Sequence, residues 1–173
     1  MQNLLNILTI IILTNLVCSC AQNNSNGKQT QNANTKDNIS TTISEDTAIL
    51  GQLLDLSVYR PTSAKFKYAF IDNSGQNQRL SVPAPSDSFL EAILYFDSLT
   101  FRKFKTSYFN ADYVSPNFNK EEFNFDWLDK NIKDELIKSD TTYHGHPDFY
   151  FGIGKSGKLW LLDKKVLVRK STT

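Results

Sequence analysis

Lys65-Phe66-Lys67-Tyr68-Ala69-Phe70, followed by Asp72-Asn73-Ser74-Gly75, decides the fold class of this chain. Phe66, Tyr68 and Phe70 alternate with Lys65, Lys67 and Ala69, a period of two that places the aromatic rings on one face of a half-buried strand. Asp, Asn, Ser and Gly in succession supply turn chemistry, so a hairpin is expected. Arg79 to Val82 reads as its return strand, ended by Pro83 and Pro85.

Further along, Ser88 and Glu91 have capping-box spacing at the head of Phe89, Leu90, Ile93, Leu94 and Phe96, with Lys103 and Lys105 near the tail. The spacing predicts a long helix from about 88 to 104, with Leu99-Thr100-Phe101 also compatible with extended chain. Leu128, Ile132 and Leu136 form an apolar stripe, and Asp129/Lys133 and Asp134/Lys138 pair at i,i+4, which predicts a helix with one buried face. Phe149 to Ile153 and Lys158 to Leu162 read as strands joined at Gly154-Lys155-Ser156-Gly157, with Val166 to Val168 as a third. On the amino-terminal side, Ile49, Leu50, Leu53 and Leu54 recur at helical spacing behind Ser44 and Glu45-Asp46, so a short helix is expected before Pro61. Helices interspersed with hairpins imply an α+β fold: a single small domain with a mainly antiparallel sheet packed against two to three helices. One sheet face is then expected to be free for partners.

Composition sets the boundaries. The chain has 173 residues and a net charge of +1, and its aromatic residues begin at Tyr59. From Ala21 to about Thr42 it is nearly all Gln, Asn, Ser, Thr and Lys, too polar to offset the entropy of ordering. Residues 20–46 are therefore expected to be a flexible tether, with a single domain over 47–173. Charges of both signs are mixed, so neither a nucleic-acid footprint nor a polybasic lipid patch is visible.

Leu16-Val17-Cys18-Ser19-Cys20 closes a broken apolar run that starts at Leu4. The run is too short to span a bilayer, and it ends in small residues immediately before a cysteine. This stretch resembles the lipobox of bacterial lipoproteins. No Lys or Arg precedes Lys28, a departure from the usual charged start. The resemblance implies removal of residues 1–19, acylation of Cys20 and a lipid-anchored protein of the cell envelope. With Ala21 after the cysteine and no acidic residue before Asp37, it also implies an outer-membrane position facing the periplasm. More than one acyl chain makes a durable anchor. Cys18 would leave with the signal, so the mature chain would hold no disulfide.

Few motifs carry chemistry. Gly154-Lys155-Ser156 lacks the earlier glycine of a P-loop, where Phe149 stands, and the following Leu159-Trp160-Leu161-Leu162 reads as a strand rather than a helix. His144-Gly145-His146-Pro147-Asp148 resembles part of the metallo-β-lactamase-type metal motif, which implies His144, His146 and Asp148 as zinc ligands. The next histidine of that motif is Phe149 here, and solvated loop histidines are the commoner reading. Asp112, Glu121, Glu122 and Asp126 are explained by caps and surface roles. Neither a Gly-x-Ser-x-Gly elbow nor an unmodified thiol is present in the mature chain. Tyr108, Phe109, Tyr113, Phe118, Phe123, Phe125 and Trp127 crowd one interval. Most such rings fill a core, and the remainder can anchor a partner. The sequence thus predicts a cofactor-free envelope binding or accessory module that uses Tyr108, Tyr113 and Trp127 toward a protein or glycan, with a small metal-dependent hydrolase as the alternative.

Overall fold

The computed structural model describes residues 31–36, 38–73, 86–111, 119–140, 150–153 and 157–172. Six antiparallel strands form one sheet: β1 (Gln31–Lys36), β2 (Ile39–Ser44), β3 (Ser63–Ile71), β4 (Asp87–Tyr95), β5 (Lys158–Leu162) and β6 (Lys165–Thr172). Their spatial order is β1-β2-β3-β4-β6-β5. Among the described residues three α-helices accompany them, α1 (Thr47–Leu53), α2 (Ser98–Phe109) and α3 (Lys130–Lys138), with a 3-10 turn at Lys120–Phe123. The α+β class, the antiparallel sheet and the helix count follow the sequence reading.

Four local expectations are corrected. Residues 87–95 form a central strand, not the first half of a helix. Leu90, Ala92, Ile93 and Leu94 are at most 3% exposed because β4 is paired on both edges and covered on both faces. A strand buried on both faces needs a near-continuous apolar run, which by composition also suits a helix. Helix α2 starts ten residues later, capped by Asp97, whose carboxylate accepts from the backbone N–H of Leu99 and Thr100 at 2.8 and 2.9 Å.

The second correction concerns the expected tether, whose distal half belongs to the sheet. Ile39–Ser44 pairs with β3 from Ile39↔Ile71 to Ser44↔Phe66, and Gln31–Lys36 pairs with β2. Ile and Thr favour a pleated edge even where little apolar surface is buried. Third, residues 150–153 are not a strand. Phe151 and Gly152 adopt left-handed φ values of 60° and 57°, and the Phe151 carbonyl accepts from Asp55 N–H at 2.8 Å, tying the segment to the chain after α1. The hairpin lies one element later, β5 to β6 through Asp163-Lys164. Residues 79–82, expected to pair with β3, lie outside the described residues; β3 pairs with β2 and β4.

The fourth correction follows from the register, which divides the core into two layers. One sheet face carries Phe66, Leu90, Ala92, Leu94, Leu159, Leu161, Val166 and Val168, packed against α1, α2 and residues 150–153. Phe104 sits at its centre with 0% exposure, its ring 5.2 to 6.3 Å from those of Tyr59, Tyr150, Phe151, Tyr108 and Phe96. The opposite face carries Ile93, Trp160, Leu162 and Leu167 under Phe123, Phe125, Leu128, Ile132 and Leu136. Helical cover therefore exists on both faces, where the sequence pattern leaves one bare, and among the described residues only part of the second face is open.

Candidate binding surface

Cross-strand pairing places one row of side chains over the middle of the α3-covered face: Ile43, Lys67, Glu91, Arg169 and Lys158, each opposite the next. Four of the five are charged. The connection that carries the 3-10 turn toward α3 comes down on this row. Asp126 accepts from Lys67 Nζ at 3.1 and 3.2 Å, and Glu91 accepts from Trp127 Nε1 at 2.7 Å. Glu122 pairs with Lys158, and Arg169 Nη1 lies 3.6 Å from the same carboxylate. The Lys67 hydrogen bond holds Asp126 below the usual carboxylate range. The row and its cover hold three cations and three carboxylates, so the belt is net neutral, with the cations paired to Asp126 and Glu122 and Glu91 accepting from Trp127.

Beyond that belt no described residue covers the sheet. The next rows read Thr41, Ala69, Phe89 and Ser171, then Ile39, Ile71 and Asp87. A groove of about 280 Å³ runs here, lined by Ile39, Ala69, Ile71 and Phe89 with Lys67, Glu91 and Arg169 along its charged border. Phe89 is 38% exposed. Apolar side chains on an otherwise solvated sheet end offer contact area that the core does not use.

Tyr108 and Trp127, two of the three aromatic residues expected to form a binding patch, do not come together. Tyr108 has 0% exposure and packs with Phe104 and Tyr150 beneath α2. Trp127 is half-buried on the opposite side of the sheet, stacked on Phe125 at 5.7 Å with Lys65 Nζ 5.9 Å from its ring. A sheet layer separates the two, so they cannot contact one partner surface. Tyr113, His144, His146 and Asp148 lie outside the described residues, as do Gly154-Lys155-Ser156 and Cys20. Among the described residues no group of three His, Cys, Asp or Glu side chains could hold a metal. No described helix is long and apolar enough to cross a membrane.

Ile39 and Phe89 had been missed as surface candidates, because the first was assigned to the tether and the second to a buried helix face. The near-continuous apolar run Phe89-Leu90-Glu91-Ala92-Ile93-Leu94 offers no alternation that would mark Phe89 as an outward strand residue. Comparison with protein-family models, curated proteins and solved structures finds no match to this chain.

Proposed function

We propose that this chain is a lipid-anchored envelope protein, held through Cys20, whose domain binds a protein partner along the open strip beside β2, β3 and β4. The observation that carries the reading is the groove between the neutral belt and the sheet end, with Ile39, Ala69, Ile71 and Phe89 facing solvent. A protein segment suits it better than a glycan. Sugar stacking wants an accessible aromatic face and free polar partners, whereas the Trp127 ring already meets Phe125 and Lys65 and its N–H is given to Glu91. An apolar partner segment can fill the strip without disturbing any ion pair of the belt.

A photo-crosslinking residue at position 89 tests the surface, with positions 58 and 137 as controls. Val58 and Ile137 are 73% and 69% exposed and lie away from the strip. One discrete adduct from position 89 in the intact envelope, weakened by Ile71→Lys and missing from both controls, is the expected result. Equal labelling at all three positions would remove the proposal. Anchoring is tested separately: a labelled fatty acid should enter the wild-type chain and not Cys20→Ser.

A further inference from the structure

Relocating the second helix to Ser98–Phe109 changes the charge reading of its surface. Placed at 88–104, the segment includes Glu91 and Asp97 and is mixed in sign. In the fold, Glu91 belongs to β4, Asp97 is the cap, and α2 retains Arg102, Lys103 and Lys105 with no acidic residue. Among the described helices it alone combines cations with an absence of acids, since α3 carries Asp134 and Glu135. All three cations are exposed, and Leu99, 57% exposed, shares the outward side with Arg102 at i,i+3. Phe101, Phe104 and Tyr108 occupy the inward side.

We infer that the outer side of α2 is a docking surface for an anionic phospholipid bilayer. The inference rests on the anchored reading of Cys20, which places a membrane within reach. Charge complementarity selects the occupant: three basic side chains without an acidic neighbour on their helix, beside an exposed leucine, match a negatively charged interface. The far wall of the cleft that Lys105 borders carries Glu135, Asp140 and Asp163 beside Lys138, so the basic surface is confined to the outer side of α2.

Placement in the fold supports the assignment in two ways. Eleven Cα–Cα steps, across ten intervening residues, separate Cys20 from Gln31, a chain that spans at most about 40 Å. Five strand spacings from β1 to β5 come to about 24 Å, so an acyl group in the bilayer is compatible with α2 resting on it. Moreover, α2 covers the sheet face opposite the groove. A domain lying on α2 turns the open strip away from the lipid and toward a partner.

The test uses the full lipidated chain carrying Thr106→Cys, an exposed position on α2, labelled with an environment-sensitive fluorophore. It is reconstituted in vesicles of neutral phosphatidylcholine or of phosphatidylcholine with 30% phosphatidylglycerol. Spin-labelled lipid should quench the probe in the anionic vesicles, with little quenching in neutral ones or at 0.5 M salt. Each cation contributes about fivefold to the bilayer-bound population and three about a hundredfold, so combined Arg102→Ser, Lys103→Ser and Lys105→Ser should abolish the quenching. A probe at position 137 should stay unquenched throughout. Equal quenching in both vesicle types, or in the triple variant, overturns the inference while leaving the anchor intact. A chain that floats with neither vesicle and lacks acyl mass overturns the anchored reading instead.

Discussion

Replacing Phe104 by alanine tests the layer on which the whole α1–α2 side depends. The ring is 0% exposed and five other aromatic rings lie with centroids within 6.3 Å, from α2 itself, from the segments after α1 and after β4, and from residues 150–153. Truncating a buried Phe costs about 3–5 kcal/mol, and well-placed ring pairs add about 0.5–1.5 kcal/mol each beyond area alone. With neighbours drawn from so many segments, the site can collapse only by moving several of them, so the loss should fall near the upper end, about 4–5 kcal/mol. That is a third or more of the stability of an ordinary domain. At a urea m-value of about 2 kcal/mol/M the midpoint should drop by roughly 2 M. Trp127 and Trp160 both sit in the opposite layer, so their fluorescence reports on cooperativity as well as stability. One shifted transition is expected, and Phe104→Leu should recover part of the loss. A decrease below about 1.5 kcal/mol, or tryptophan signals that stay at the wild-type midpoint, would refute the single two-sided core.

Other expectations concern the backbone and the caps. Gly157→Ala should cost about 1–3 kcal/mol in chemical denaturation, because its Cβ would meet three Ile153 side-chain atoms at 2.5 to 2.7 Å; combined with Ile153→Ala, the added loss should shrink. Lys164 is exposed and holds φ at 54° in the β5–β6 turn, so Lys164→Gly should raise stability by about 0.5–1 kcal/mol, read as an upward shift in Tm. Asp97 is held below its usual value, first by the Thr100 hydroxyl and then by the backbone N–H of Thr100. A lowered folded pKa contributes stability that is present above about pH 4 and is lost as pH falls through the folded value. Between pH 5 and pH 2 the wild type should therefore lose more stability than Asp97→Asn, and parallel melting curves for the two would contradict this.

The parts legible in the sequence were those where one period acted alone. Strand β3 alternates because only one of its faces is deeply buried, and the Leu128-Ile132-Leu136 stripe matches α3 because only one side of that helix is covered. Strand β4 defeated the same logic. Its residues 90 and 92–94 are buried on both faces, which erases alternation and leaves an apolar run that a helix would equally explain. At the amino-terminal end the error had the opposite cause. Strands β1 and β2 end the sheet with polar sequence, and low hydropathy hid strands whose pairing is with backbone. Residues 150–153 failed for a third reason, since Phe151 adopts a left-handed φ that a bulky side chain seldom takes and that composition does not announce. The first two of these misreadings each removed a wall of the groove from view, Phe89 being read into a helix and Ile39 into a tether.

Once the register is known, the aromatic crowding from 108 to 127 loses its functional appearance, because Tyr108 and Trp127 lie on opposite sides of the sheet and each supports a different layer. What remains is a question of where the α3-side cover ends. An apolar layer cannot be extended over Lys67, Glu91 and Arg169 without stripping water from ions, a penalty that only partners of opposite charge can offset. Asp126, Glu122 and the Trp127 N–H are those partners, and past them no described residue covers that face. A sheet end that served no purpose would be expected to revert to charged or hydroxyl side chains there, since exposed apolar groups at the edge of a sheet invite unwanted association. Ile39 and Ile71, paired in one row, and Phe89, in the row beside them, depart from that expectation on three strands. Phe89 keeps its ring partly open above the groove, whereas the Trp127 ring is already engaged by Phe125 and Lys65 and its N–H by Glu91, and for that reason Phe89 rather than Trp127 carries the binding proposal.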